Sequence, residues 1–320
     1  MSKRYLVLGA SGTIGHQLVK HLKQLGHFVR AVDIQRPLYS ASPADEKKIA
    51  DLTKEDSCLQ AMHSEKGFDQ VIQLAAVMGG ATFIFTGKND AEIMSDSAQI
   101  NINVLKACNY YGYKNIFFSS SACIYPQHLQ KEARSISLHE SLAFPANPDS
   151  VYGFEKLFSE LLYDSYRRNN GFNVSIGRYH NIFGPECHYK DERAKAPAAI
   201  CYKVANAKDG DSIDIIGDGN QVRSFLSVEQ CIEGTLKLIE SGYTEPVNIG
   251  SEESISINDF TAMVMRISGK KLNIRHVDGP QGVRGRNSNN DLLRKVTGWE
   301  PTEKLETGIT RLYNWINGQI

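Results

Sequence analysis

The chain of 320 residues lacks any charge imbalance: 36 basic side chains face 36 acidic ones, for a formal net charge of zero. With no global field to attract nucleic acid or an anionic lipid surface, neither is expected as a partner, and any anion must be held at a local site. No apolar run approaches the ~20 residues that cross a bilayer, so no membrane association is expected. The opening residues pass directly into a strand pattern, which leaves no room for a secretory leader. The six cysteines (58, 108, 123, 187, 201, 231) form no CxxC and no paired metal-ligand spacing. They read as reduced thiols of a cytoplasmic protein with no metal site, and one of them is available for chemistry. Repeats, low-complexity tracts and Pro/Gly/Ser linkers are missing too. An ordinary balance of 41% hydrophobic and 22% charged residues excludes a disordered or fibrous chain.

What is present is an alternation of short apolar runs with helical patterns. Tyr5–Leu8, Phe28–Val32, Val71–Leu74 and Ile116–Phe118 read as buried strands, and Leu18, Val19, Leu22 and Leu25 recur at helical spacing between the first two. Continuous apolar strands separated by helices predict an α/β fold, a Rossmann-type doubly wound parallel sheet. From about Arg178 onward the alternation becomes irregular. Asn181–Pro185 and Gly217–Asn220 read as turns, Ile213–Ile216 as a strand, and Val228–Ile239 and Ile257–Ile267 as helices. The expectation is a dinucleotide-binding domain over 1–178, returning near 222–250 because Val247–Ile249 reads as one more strand. A smaller, interleaved C-terminal lobe over 179–320 would bind substrate, outside the carboxyl ends of the strands.

Gly9, Gly12 and Gly15 follow the first strand and open a helix, with Ala10, Ser11, Thr13 and Ile14 between them. Glycines there let backbone N–H groups of Ser11, Gly12, Thr13, Ile14 and Gly15 approach a pyrophosphate at a positive helix end. Asp33 lies 18 residues past Gly15, where a carboxylate accepts ribose hydroxyls and repels a 2′-phosphate, favouring NAD over NADP even with Arg36 nearby. Asp51, Leu52, Leu74, Ala75 and Ala76 stand at the next strand ends, placed for the adenine and pyrophosphate.

Ser121 ends the Ile116–Phe118 strand region, and Tyr152 and Lys156 share a helix face four positions apart. An ammonium beside a phenol stabilises phenolate, pulling Tyr152 below the usual ~10. A phenol so tuned removes a hydroxyl proton while a nicotinamide takes hydride from the same carbon, with Ser121 bonded to the substrate oxygen and Lys156 also contacting the cofactor. Cys123, two positions past Ser121, stands at the mouth of such a site. Asn181 offers an amide to a sugar or diphosphate. Arg223 and Arg284 offer guanidinium forks to phosphate oxygens. Gly79 and Gly80 let backbone pass close to a bound sugar.

These motifs, with Arg178–Asn181, Arg223–Phe225 and Gly298–Pro301, resemble the extended short-chain dehydrogenase/reductase family over nearly the whole chain. Ser120–Pro126, Lys195–Ala199, Gly217–Gly219, Val247–Ser251 and Gly282–Ser288 are most similar to its GDP-mannose 3,5-epimerase branch. The resemblance implies an NAD-dependent isomerase working on a nucleotide sugar, with a GDP-sugar favoured, and a homodimer. It implies transient oxidation at C4, proton exchange at C3 and C5 by Cys123 and Lys195, and re-reduction. It also puts Lys203 and Gln221 among the substrate contacts. Ala194 departs from the acidic residue the branch carries before its lysine, and Tyr189 from a tryptophan. A GDP-hexose or heptose 4-dehydrogenase, a single-centre epimerase and a non-catalytic NAD-binding module stay open as alternatives.

Overall fold

The computed structural model describes residues 2–134, 137–279 and 282–320. Its first part runs β1 (Arg4–Leu8), α1 (Thr13–Gln24), β2 (Phe28–Asp33), β3 (Glu46–Ile49), α2 (Glu55–Met62), β4 (Gln70–Gln73), α3 (Ala81–Phe85), α4 (Asp90–Tyr111), β5 (Asn115–Ser121), α5 (Val151–Asn170) and β6 (Asn173–Tyr179). Next come β7 (Ile182–Phe183), α6 (Ala196–Asn206), β8 (Ser212–Ile216), β9 (Val222–Ser224), β10 (Leu226–Ser227) and α7 (Val228–Ser241). The chain closes with β11 (Val247–Ile249), β12 (Ser254–Ser256), α8 (Ile257–Ser268), β13 (Asn273–Val277), β14 (Gly285–Arg286), α9 (Asp291–Thr297) and α10 (Leu305–Asn317).

Seven strands form one sheet in the order β11-β6-β5-β4-β1-β2-β3, every neighbouring pair parallel. The strand order reverses between β1 and β4, which opens a crevice at their carboxyl ends. Leu6, Val7, Leu8, Val71 and Ile72 have no exposed surface, as the continuous apolar runs require of strands covered on both faces. Helix α1 turns Leu18, Val19 and Leu22 onto one face of the sheet, while Val104, Leu105 and Cys108 of α4 cover the other. Strand β3, of sequence Glu-Lys-Lys-Ile, has no apolar signature because it pairs only with β2, and its charges guard an open edge. The expected turn at Asn181–Pro185 contains a short strand, β7, pairing in parallel with β10.

The second lobe has its own core, in which Cys201 and Val204 of α6, Ile213 and Ile215 of β8, Phe260 and Val264 of α8 and Leu312 of α10 pack together. Strands β8 and β13 pair in parallel, and β12, β9 and β14 form a small sheet. A buried polar network ties the carboxyl end of the sheet to the connection between β5 and α5. Arg178 of β6 donates to both Glu160 oxygens (2.9 and 2.8 Å), to the Glu140 carbonyl (2.9 Å) and to Tyr125 Oη (3.2 Å). The Tyr125 hydroxyl then donates to Asn248 Oδ1 (2.7 Å), and Asn248 donates to the Leu138 carbonyl (2.7 Å). Burial lowers His180 to about 3, so it stays neutral and its Nε2–H donates to Asn248 (2.9 Å).

Removing one member of a buried ion pair strands its partner's charge. Arg178→Met should therefore cost about 3–5 kcal/mol in denaturant unfolding, and a double variant that also replaces Glu160 by Met should recover much of that loss.

Candidate active site

One cleft of about 750 Å³ runs along the carboxyl ends of the sheet and under the second lobe. Every site residue anticipated from the sequence lines it except Ser11 and Arg284.

At one end stands the glycine turn. Gly9 has φ +78°, and a Cβ on Gly15 would lie 2.1 Å from the Gly9 carbonyl oxygen, so only glycine permits this approach of helix to strand. Helix α1 begins after Gly12 with no side-chain cap, so its first N–H groups face the cleft beside Thr13 and Ile14. Asp33, at the end of β2, accepts the Ser11 N–H (2.8 Å) and the Gln35 N–H (3.2 Å) and is thereby fixed in place. Burial raises its pKa against those bonds. Ser11 itself does not reach the cleft, because its N–H is taken by Asp33 and its hydroxyl by the Gln35 carbonyl (2.7 Å). Its place is behind Asp33. Asp51 is held by the Thr53 N–H (3.0 Å) and hydroxyl (2.7 Å). Leu52, Leu74, Ala75 and Ala76 complete a mostly apolar wall. A glycine cradle with uncapped helix N–H groups, followed by a positioned carboxylate, fits a dinucleotide such as NAD.

The middle of the cleft holds the ionisable groups. Ser121 ends β5, and its Oγ accepts the Cys123 N–H (3.2 Å), capping the 3₁₀ turn Ala122–Ile124. Ser150 caps α5 by accepting the Gly153 N–H (3.2 Å), which sets Tyr152 in the first turn and Lys156 one turn on. A Cβ on Gly153 would lie 2.2 Å from the Cys123 carbonyl oxygen, so α5 rests directly on the backbone of the turn that carries the thiol. Lys156 Nζ donates to the Ser119 carbonyl (3.3 Å), stands 3.9 Å from Glu155 and lies 5.7 Å from the centre of the Tyr152 ring.

The expected depression of the Tyr152 pKa is not what the structure has. Burial raises it, with the neighbouring Cys123 and Glu155 adding to the rise, and a hydrogen bond with Ser121 works in the other direction. The Lys156 ammonium is engaged by Ser119 and Glu155, and burial lowers its own pKa.

Lys195 stands just before the N-terminus of α6, and burial lowers its pKa. Burial raises that of Cys123, although Arg286 opposes the rise. Cys123 acts electrostatically on Lys195, opposing the fall, and the net shift of each group favours its uncharged form. A neutral amine accepts protons and a neutral thiol gives them.

At the far end, Gly80 meets Ala194: a Cβ on Gly80 would lie 2.2 Å from the Ala194 carbonyl oxygen, closing the loop after β4 onto the approach to α6, with Gly79 beside it. Asn181 has φ +47° and donates to the Ser224 carbonyl (2.8 Å). Lys203 Nζ donates to the Asp214 carbonyl (2.6 Å), and Gln221 Nε2 to the Ile216 carbonyl (3.1 Å). The Gln221 Oε1 is buried with no hydrogen-bond partner. Arg223 is anchored on the Val283 carbonyl (2.6 Å), and burial lowers its pKa to about 9.

Arg284 is placed differently from the other anticipated residues. Its guanidinium pairs with both Asp218 oxygens (2.8 and 3.0 Å) outside the cleft. Arg286, two residues on, is the arginine that enters, donating to Cys123 Sγ (3.1 Å) and to Asp149 Oδ2 (2.5 Å). Both arginines belong to the Gly282–Ser288 motif, and their partners differ, Asp218 for Arg284 and Asp149 for Arg286. Neither Arg286 nor Asp149 was singled out by sequence reasoning.

Residues 5–250 match the model of the NAD dependent epimerase/dehydratase family. The chain is 42% identical over 316 residues to the GDP-mannose 3,5-epimerase of Arabidopsis thaliana, covering 98% of this chain and 82% of that protein. It is 41% identical to GDP-mannose 3,5-epimerase 1 of Oryza sativa subsp. japonica, covering 99% and 82%. In fold it is similar to the UDP-glucose 4-epimerase of Thermus thermophilus in complex with NAD (TM-score 0.82, 21% identity, covering 99% of this chain and 100% of that one).

Gly15→Ala forces the helix away from Gly9, a repacking worth about 1–3 kcal/mol. The NAD Kd should rise roughly five- to hundredfold, read by quenching of intrinsic fluorescence in a titration.

Proposed function

Because the chain belongs to the NAD-dependent epimerase/dehydratase family, we propose that it is a nucleotide-sugar epimerase. Its substrate is a GDP-mannose-type sugar, inverted at C3 and C5 by way of a ketone at C4. The observation that carries this reading is the pair Cys123 and Lys195, which line one cleft with Ser121, Tyr152 and Lys156 and which burial drives toward their neutral forms. The identity to plant proteins named GDP-mannose 3,5-epimerase supports the choice of sugar.

NAD, held by the Gly9–Gly15 turn and Asp33, supplies hydride acceptance and return at C4 when bound. Tyr152 removes the C4 hydroxyl proton, Ser121 holds the oxygen, and Lys156 contributes positive charge beside the phenolate. A ketone at C4 acidifies the hydrogens on C3 and C5. Inversion needs an acceptor on one face of the ring and a donor on the other. Lys195, as free amine, takes the carbon-bound proton, and the Cys123 thiol gives one to the opposite face. That leaves an ammonium and a thiolate, and inversion of the second centre in the reverse sense restores both. Arg223 and Lys203 bring positive charge to the diphosphate, and Asn181 and Gln221 offer amides to the sugar and its linkage.

The same reading includes a homodimer in the cytoplasm. Phe154, Phe158 and Leu161 form an apolar stripe on the outer side of α5, each about half exposed, and Met94 of α4 is exposed as well. All six cysteines are free thiols, as a reducing compartment requires. Phe158→Glu should convert the dimer to monomer in light scattering after size exclusion.

Incubation with GDP-mannose in D2O should place deuterium at C3 and C5 without net NADH. Cys123→Ala and Lys195→Met should each cut the labelling by about 10²–10⁴-fold. In the wild type, labelling should fall as the pH drops through the lowered pKa of Lys195, because the ammonium cannot accept a proton. Steady NADH release with no carbon label would make the protein a dehydrogenase. Label at one carbon only would make it a single-centre epimerase.

A further inference from the structure

We propose that Arg286 is a positioning residue for Cys123: its guanidinium, locked by Asp149 and Gln130, holds the sulfur in place and stabilises the thiolate whenever the proton leaves. The proposal rests on the reading of Cys123 as a proton-exchanging group.

The geometry leaves Arg286 little other use. The residue is 5% exposed, and its N–H groups are committed in three directions. Nε donates to Gln130 Oε1 (2.6 Å), Nη2 to Asp149 Oδ2 (2.5 Å) and Nη1 to Cys123 Sγ (3.1 Å). The amide of Gln130 is oriented from behind, since its Nε2 donates to the Tyr125 carbonyl (3.0 Å) and the Pro126 carbonyl (3.3 Å). The main chain is tied to the same residue, with Arg284 N–H donating to the Gln130 carbonyl (2.9 Å). Strand β14, pairing Arg286 with Arg223 of β9, fixes the other side. A guanidinium held on this many contacts keeps its charge and direction when the sulfur ionises, which a lysine on a flexible stem does not guarantee.

Asp149 gives the clamp its second function. It immediately precedes Ser150, the cap of the helix that carries Tyr152 and Lys156. The Arg286–Asp149 pair therefore connects the turn bearing the thiol to the helix bearing the phenol. Facing the thiol from their several elements are Arg286 of β14, Asp149 before α5, Tyr152 of α5, Lys195 before α6 and Arg223 of β9. Of these, Arg286 favours the thiolate through a direct bond, and Asp149 opposes it through space. The two partners of one ion pair thus act on Cys123 in opposite senses.

That opposition supplies the test. The NAD-loaded protein, without sugar, is treated with iodoacetamide over a range of pH, and alkylation of the peptide carrying Cys123 is followed by mass spectrometry. Arg286→Met should slow alkylation near neutral pH by about tenfold or more, the scale of a lost hydrogen bond to a charged group, with the profile displaced to higher pH. Arg286→Lys should recover part of the rate. Asp149→Asn should speed alkylation, with the profile displaced to lower pH. A merely structural role would loosen the site and raise reactivity in both variants. Acceleration in both, or no change in either, overturns the proposal, and if Arg286→Met does not fold, Arg286→Lys takes its place: alkylation slower than in the wild type is expected, and alkylation as fast or faster overturns the proposal. Because no sugar is present, the result is separable from the proposed reaction. Full deuterium labelling by Cys123→Ala would sink that reaction while leaving the clamp intact.

Discussion

Burial of ionisable groups in a cleft walled by protein is the constraint on which the rest of the site depends. Taking a charge out of water disfavours it, so a buried lysine is pushed down and a buried thiol or phenol up. Lys156 and Lys195 fall, and Cys123 and Tyr152 rise, with desolvation the largest cause in each case. The same desolvation moves an amine and a thiol in this cleft toward their uncharged forms, the tendency on which the proposed proton exchange draws. The shifts also create a difficulty, because each proton transfer generates a charge in a medium that resists it. Fixed partners answer that difficulty: Arg286 for Cys123, and Glu155 near Lys156.

The partners work only because the backbone is rigid where they attach. Gly153 lets α5 lie on the carbonyl of Cys123, and Ser121 and Ser150 cap the two turns that meet there. Behind them, Ser120 bonds to Glu160, which is paired with Arg178. That pair belongs to the network reaching Tyr125, Asn248 and His180. A carboxylate and a guanidinium so deeply buried add little net stability as a pair, yet neither can be lost alone. Their effect is to hold β5, α5, β6 and β11 in one arrangement, which is also the arrangement of the cleft. The second lobe contributes the remaining wall, with Lys195 at the start of α6 and Gly80 closed against Ala194.

Local patterns carry a large part of this. The strand and helix rhythm up to Tyr179 is visible because buried parallel strands must be apolar throughout. It fails for Glu46–Ile49, an edge strand whose composition serves solubility instead of burial. The Gly9–Gly15 turn, Asp33, Ser121, Tyr152 and Lys156 are legible because their chemistry depends on short spacings along the chain. That Ser11 bonds to Asp33 and Gln35 is not legible in the same way, since proximity in sequence does not show which partners a side chain meets. The position of Arg286 beside Cys123 is not legible for a related cause: Asp218 and Asp149 are distant in sequence, and each selects its arginine only in three dimensions.

The amino-acid order by itself determined the fold class, the dinucleotide turn and the Ser121, Tyr152 and Lys156 pattern, because each is written in periodicity or in local spacing, whereas the pairing of Cys123 with Lys195 came from resemblance to the epimerase branch. Tertiary structure alone decided the protonation tendencies of those groups and which arginine meets the thiol. A pKa depends on how much water is excluded and on which charges arrive from remote segments, and neither quantity exists until the chain has folded.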